Sequence, residues 1–151
     1  MQLLPFIKNK YLAYGALALI ISISLYEGFK FSVYNQDYHH SFFILSHYID
    51  FQNGFEYFKD IFLQYGPGQL VLFNLIDYFI KINIVSISNI TVVTYSLNLI
   101  VLFKVFEKIS TLNIAFLSIL LIFLIHPYST YPWPDYLSGL CLCFFFYFFL
   151  N

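Results

Sequence analysis

Long apolar stretches alternate with short polar ones along this chain. Five stretches are mostly apolar, at positions 11–29, 68–80, 82–103, 112–126 and 136–150. A helix of about 20 apolar residues spans the hydrocarbon core of a bilayer. The pattern therefore predicts an all-α, polytopic membrane protein with about five transmembrane helices. The stretch at 82–103 is the clearest of the five, because no charged residue interrupts it.

The composition agrees with a chain that is solvated largely by lipid. Of its 151 residues, 60% are hydrophobic, 23% aromatic and only 10% charged, whereas soluble domains carry about 25% charged residues. A globule of this size could not bury so much apolar surface. The net charge of −1 and the absence of arginine also argue against nucleic acid as a partner.

The first lysines predict the orientation of the chain. Lys8 and Lys10 precede the first apolar stretch, and lysines flanking a span tend to stay in the cytoplasm. We therefore expect an uncleaved signal anchor, a cytoplasmic N-terminus and residence in the cytoplasmic (inner) membrane. The polar loop at about 31–66 is then external.

Strict alternation of five spans creates one conflict with the lysine rule. It places Lys81 inside, Lys104 and Lys108 outside, and the segment HPYSTYPWPD (126–135) inside. The external placement of Lys104 and Lys108 contradicts the tendency of lysines to remain inside. A half-span or re-entrant segment among the middle helices is the alternative.

The first polar loop predicts a helix of its own. Residues 34–70 hold four of the eight acidic residues and three of the four histidines. Apolar side chains recur there at helical spacing, which predicts a short amphipathic helix on the membrane surface: Phe42, Phe43, Leu45, Tyr48 and Ile49. Asn53-Gly54 is a turn signal that ends this helix, and Gly66-Pro67-Gly68 begins the next apolar segment.

Asp37, His40 and His47 are candidates for chemistry in this loop. Their spacing of three and seven residues puts them on one helix face. They can solvate a surface helix, bind a divalent metal, or include a catalytic carboxylate in Asp37 that accepts a proton from a hydroxyl. Spacing alone does not choose among these three interpretations.

The order of motifs resembles that of one enzyme superfamily. An acid follows the first membrane helix, then comes GFEYFKDIF at 54–62 and YGPG at 65–68. This arrangement resembles the first external loop of GT-C glycosyltransferases, closest to the family 39-like branch of protein O-mannosyltransferases and lipid A aminoarabinose transferases. The match covers about the first half of the chain, so we expect residues 1–151 to be a single transmembrane module, the N-terminal part of a larger GT-C fold.

The resemblance implies a function and roles for particular residues. It implies inverting transfer of a sugar from a polyprenyl-phosphate-linked donor to an external acceptor, with Asp37 as the catalytic base. Asp60 is implied as a second catalytic or loop-ordering acid, and Asp135 matches a later external acid of the family. The side chains expected to bind substrate are His39, His40, Lys59, Tyr65 and Trp133. No cofactor is specified, although a divalent metal is one candidate.

The chain also departs from that family. Members of the group have many more helices, and their sites commonly use arginines for phosphate, which leaves lysines such as Lys59 here. A non-catalytic membrane subunit, or part of a lipid or sugar-lipid transporter, is therefore the alternative function, with a partner membrane chain. Asp77 lies four residues before Lys81, a spacing that predicts an ion pair.

Overall fold

The computed structural model describes residues 10–34, 38–56, 59–60, 67–130 and 134–150. Six helices lie within these ranges. They are α1 (Lys10–Phe31), α2 (Tyr38–Gln52), α3 (Gly68–Asp77), α4 (Ile84–Ile109), α5 (Leu112–Ile125) and α6 (Pro134–Phe149). No strand occurs within these described ranges. The predicted all-α class is confirmed.

Two of the helices, α1 and α4, are long and apolar enough to cross a membrane. Their 22 and 26 residues give lengths of about 33 and 39 Å at about 1.5 Å per residue. The apolar helices α3, α5 and α6 are shorter, with 10, 14 and 16 residues. The total of five spans therefore stays a prediction.

Helix α4 lies at the centre of the fold and packs against α1, α2, α5 and α6. It begins in a capping box, in which Asn83 and Ser86 each accept a hydrogen bond from the other's backbone N–H. Many of its buried positions are small or polar, such as Ser88, Thr91 and Ser96. Small side chains let neighbouring helices approach α4 closely.

Helices α1 and α4 run antiparallel along their shared length. The Tyr14 and Phe103 rings meet near one end with centroids 5.5 Å apart, and Gly28 faces Val92 near the other. A Cβ added at Gly28 would lie 2.5 Å from a γ-methyl of Val92. Glycine is required here because the two backbones approach so closely.

This geometry corrects the strict alternation of spans. The Glu107 carboxylate contacts both Lys10 and Lys104, with N–O distances of 3.3 and 3.2 Å. The start of α1 and the end of α4 therefore lie at one end of the molecule, which we call the basic end. The expectation that Lys10 and Lys104 lie on opposite sides is wrong, and so is the matching one for Lys108, which follows one turn later on α4.

Helix α4 begins at the end of the molecule where α1 ends, because α3 is too short to return the chain to the end where α1 begins. At ten residues it is about 15 Å long, half the hydrocarbon thickness. Phe73 of α3 packs with Ile82 and Ile87, at the start of α4. Lys81 therefore lies at the end of the molecule opposite Lys10, contrary to its predicted placement.

Asp77 stabilises the turn between α3 and α4. Its carboxylate accepts a hydrogen bond of 2.6 Å from the backbone N–H of Ile82. The predicted ion pair with Lys81 is absent from the described part of the chain. A backbone donor replaces the lysine because the helix ends at Asp77, before the i, i+4 geometry is complete.

We predict that Gly28→Ala destabilises the fold. The new methyl group overlaps Val92, whose β-branched side chain has one strongly preferred rotamer in a helix. Overpacking of this kind costs about 1–3 kcal/mol, which outweighs the gain in helix propensity. Thermal unfolding in detergent micelles, followed by circular dichroism, measures the loss.

Gly15→Ala on the same helix is the matched control, because nothing lies within 4 Å of a Cβ there. The second substitution Val92→Ala should restore stability to Gly28→Ala. Equal melting temperatures for the two alanine variants would contradict the close approach of α1 and α4.

Candidate functional site

Helix α2 is held at the end of the fold where α1 finishes and α4 begins. Its buried side chains Ile44 and Tyr48 pack against Leu70 and Phe73 of α3. The Tyr48 and Phe73 rings meet edge to face, with centroids 6.1 Å apart. The predicted helix is confirmed, and its inner face packs against protein.

Only part of the predicted apolar face of α2 packs against protein. Phe42 and Ile49 are about half exposed, at 53% and 49%, whereas Ser41 is fully buried. Contact of these exposed apolar side chains with a membrane surface stays a prediction. The helix ends as predicted, since Gly54 adopts a positive φ of 88°, a conformation that glycine reaches without strain.

Asp60 and Lys59 both contact Glu56. The Asp60 carboxylate accepts a 2.9 Å hydrogen bond from the Glu56 backbone N–H, and the Lys59 ammonium lies 3.2 Å from the Glu56 carboxylate. The Lys59 and Glu56 side chains are both about two-thirds exposed. These contacts order the described part of the loop.

The histidines of α2 lie in contrasting surroundings. His47 meets the Phe43 ring edge to face, with centroids 4.1 Å apart, and partial burial lowers its pKa, although the Asp50 carboxylate opposes this shift. His40 is half-buried on the first turn of α2. No group of three potential metal ligands occurs among the described residues.

Several predicted site residues lie outside the described residues, namely Asp37, Tyr65 and Trp133. His39 and Asp135 lie in α2 and α6, but their side chains are not described. The predicted metal set of Asp37, His40 and His47 is therefore described only for its two histidines.

A second polar segment, residues 126–130, lies at the same end of the molecule as α2. His126 ends α5 and its carbonyl accepts a hydrogen bond from the Tyr95 hydroxyl. The Ser24 hydroxyl donates a 2.5 Å hydrogen bond to the Pro127 carbonyl. The Tyr128 ring stacks on Phe31, with centroids 5.5 Å apart and planes 3° from parallel. Strict alternation of five spans would put this segment at the end where α1 begins, whereas residues 126–130 lie at the opposite end.

Helix α6 is fixed beside that segment by a polar side chain of α4. Asn98 donates a 2.8 Å hydrogen bond to the Tyr136 carbonyl, while the Tyr136 hydroxyl lies 3.3 Å from His126 Nε2. Sequence reasoning missed these contacts. In the sequence, these contacts are indicated only by polar residues within otherwise apolar stretches, namely Ser24, Tyr95 and Asn98.

An apolar groove of about 680 Å³ runs beside α4 at this end. It is bounded by α3, by the N-terminal half of α4, by the first turns of α6 and by Phe29 of α1. Asn89 lines it, and the side-chain oxygen of Asn89 is buried without a hydrogen-bond partner among the described residues. The groove can accept an extended apolar chain.

No family model matches this sequence, and no curated protein or solved structure is similar to it. The resemblance to GT-C glycosyltransferases thus has no support beyond the residues that carry it.

We predict that acidification lowers the stability of the folded protein through the partly buried His47 ring. Its pKa is below the ordinary value of 6.5, so the folded state binds the proton less readily than the unfolded state. The neutral His47 ring therefore contributes to the free energy of unfolding above about pH 6.5. This contribution is lost as the pH falls from the pKa of His47 in the unfolded chain through its lower pKa in the folded protein. Thermal unfolding at about pH 7.5 and about pH 5.5 measures this loss.

His47→Gln is the comparison for this experiment, because glutamine does not titrate there. The fall in melting temperature on acidification should be smaller in His47→Gln than in the wild type. An identical fall in both proteins would assign the pH dependence to other groups.

Proposed function

We propose that this chain is an integral membrane module in which α1, α4, α5 and α6 cross the bilayer and α3 is a half-span. The distribution of charge supports this arrangement. The basic end carries three described lysines against one acid. The opposite end, which we call the acidic end, carries five described acids against three lysines: Glu27, Asp50, Glu56, Asp60 and Asp77 against Lys30, Lys59 and Lys81.

The lysine rule then assigns the basic end and the N-terminus to the cytoplasm. This assignment removes the conflict that strict alternation produces at Lys104 and Lys108. The 14-residue α5 is short for a span, and local thinning of the bilayer accommodates short helices at modest cost. The acidic end, with α2 and residues 126–130, is then external.

The function we propose is transfer of a sugar from a polyprenyl-phosphate-linked donor to an acceptor at the acidic end. The observation that carries it is the location of two polar segments and an apolar groove at one end of the fold. Helix α2 and residues 126–130 are separated in sequence but both lie there. The groove would receive the prenyl chain, which leaves the phosphate-linked sugar at the polar end.

Asp37 is the proposed catalytic base. It directly precedes α2 in the sequence, and α2 is fixed by Ile44 and Tyr48. Asp37 would remove the proton from the acceptor hydroxyl while the oxygen of that hydroxyl bonds to the anomeric carbon. The bond between that carbon and the phosphate oxygen breaks, polyprenyl phosphate leaves with the electron pair, and the configuration inverts. His39, His40, Tyr65 and Trp133 remain the proposed substrate-binding residues.

A non-catalytic membrane subunit is the second candidate. The contacts of Lys59 and Asp60 favour it, since both residues engage Glu56 within one loop. Asp77 likewise stabilises the turn between α3 and α4. If the remaining polar side chains of the loop are also structural, the module serves as a scaffold for a partner membrane chain.

We predict that Lys10→Cys and Lys108→Cys become labelled from the same side of the membrane. The comparison is Lys59→Cys, an exposed position at the acidic end, which should be labelled from the opposite side. The background carries Cys141→Ala and Cys143→Ala, since both native cysteines are free. An impermeant maleimide applied to intact and to opened cells distinguishes the sides. Labelling of Lys10→Cys and Lys108→Cys from opposite sides would contradict the four-span arrangement.

We predict that Asp37→Asn abolishes sugar transfer in membranes supplied with a pool of polyprenyl-linked donors. Loss of a general base costs about 10²–10⁴-fold in rate. Asp50→Asn makes the same chemical change on α2 and should retain transfer. Equal transfer by Asp37→Asn and the wild type would exclude Asp37 as the base. Absence of transfer from the wild type, with normal protein level and topology, would favour the subunit.

A further inference from the structure

The apolar groove beside α4 contains one polar group that the described fold leaves unpaired. The Asn89 side-chain oxygen is buried and has no hydrogen-bond partner among the described residues. Two other described polar side chains line the groove, and both are bonded to backbone carbonyls of nearby turns. The Ser86 hydroxyl donates to the Asn83 carbonyl at 2.9 Å, and the Thr94 hydroxyl donates to the Ile90 carbonyl at 2.8 Å. Asn89 is therefore the polar group of this wall that a ligand can still pair.

An unpaired buried carbonyl favours a ligand that brings a hydrogen-bond donor. Removing an amide oxygen from water without a new hydrogen bond is unfavourable, and a donor that reaches the oxygen removes this penalty. The Asn89 amide lies on the groove wall, and the last side-chain torsion of asparagine is broad. A rotation about that bond turns the oxygen toward a donor in the groove.

The rest of the groove wall favours an apolar and uncharged ligand body. None of the described residues that line the groove is charged. An anion placed there would lose its water without gaining a cation. The volume of about 680 Å³ lies within the range of ligand pockets, about 300–1,000 Å³. Along α4 the wall extends from Ser86 to Leu97, a distance of about 16 Å at about 1.5 Å per residue. These features fit an extended apolar chain with one neutral donor group.

The position of Asn89 along α4 matches the level of a lipid hydroxyl. Helix α4 is about 39 Å long and the hydrocarbon core is about 30 Å thick, so a centred α4 extends about 4.5 Å beyond the core at each end. Asn89 lies five residues after Ile84, the first residue of α4, or about 7.5 Å along the helix axis. The amide is then about 3 Å inside the hydrocarbon boundary. A lipid alcohol whose chain points to the bilayer centre has its hydroxyl near this boundary.

We propose that the groove binds a neutral lipid alcohol, whose hydroxyl donates a hydrogen bond to the Asn89 side-chain oxygen. Its apolar chain lies along Val93 and Leu97, between α3 and α6. The proposal rests on the membrane placement given under the proposed function. It goes beyond sugar transfer, because an alcohol carries no phosphate that could be displaced. Since the proposed donor uses the same groove, the alcohol and the donor exclude each other.

The test is competition binding on the purified full chain in neutral detergent, with tritiated farnesol as the probe. Farnesol, farnesene and farnesyl phosphate share one prenyl chain but carry a hydroxyl, no polar group and a phosphate. We expect farnesol to displace the probe at about a tenth of the concentration that farnesene requires, the factor for one hydrogen bond to a buried partner. Farnesyl phosphate should also bind less tightly than farnesol, because no described cation lines the groove.

Asn89→Leu replaces the amide by an apolar group of similar shape. It should abolish the preference for farnesol over farnesene. The melting temperature of the protein without ligand should not fall, because the substitution removes a buried, unpaired carbonyl. Thr94→Val is the matched control, since it makes an equivalent change on the same wall at a hydroxyl already bonded to Ile90. Thr94→Val should keep the preference of the wild type.

Three results would overturn the proposal. The first is equal displacement by farnesol and farnesene in the wild type, or tighter binding of farnesyl phosphate. The second is an unchanged preference for farnesol in Asn89→Leu. The third is a lowered melting temperature of Asn89→Leu without ligand, which would give the amide a structural role.

The outcome is separable from sugar transfer and from the membrane placement. Sugar transfer by a wild-type chain that shows no preference for farnesol refutes only the alcohol site. A preference for farnesol in a chain that transfers no sugar supports the alcohol site and favours the subunit. A chain that fails the cysteine labelling refutes the placement, whatever lipid it binds.

Discussion

The packing of α4 against four other helices is the interaction on which the rest of this structure depends. Side chains such as Ser88, Thr91 and Ser96 are buried along α4, and Asn98 reaches across to the Tyr136 carbonyl. Polar groups buried in an apolar setting are stabilised only when they find partners. Small side chains therefore give α4 close contacts with its neighbours, and Asn98 adds a specific hydrogen bond to α6.

The antiparallel packing of α1 and α4 determines which charged side chains lie at the same end of the molecule. Because the two helices are antiparallel, Lys104 and Lys108 return to the end where Lys10 begins. The acids collect at the other end, with α2, α3 and the second polar segment. The short α3 makes this possible, since a helix as long as α1 at that position would place the start of α4 at the basic end.

The candidate site depends on the same arrangement. Gln52 of α2 donates a hydrogen bond to Asn74 of α3, while Ser24 and Tyr95 hold residues 126–130 beside the end of α1. The sequence predicted the helix around Tyr48 and its end at Gly54. It did not predict the contacts of Ser24, Tyr95 or Asn98, because isolated polar residues in apolar stretches do not reveal their partners. The roles proposed for Asp37, Tyr65 and Trp133 rest on the sequence.

The sequence by itself determined the helical class, the apolar segments and the boundaries at Gly54 and Gly68. These follow from local causes, namely apolar periodicity, composition and the conformational freedom of glycine. The packing of the helices shows which helix ends lie together. The end from which a helix starts depends on the lengths of the helices before it, and the short α3 changes that end for every later helix. The contact of Lys10 and Lys104 with one carboxylate joins residues more than ninety positions apart, which no local pattern encodes.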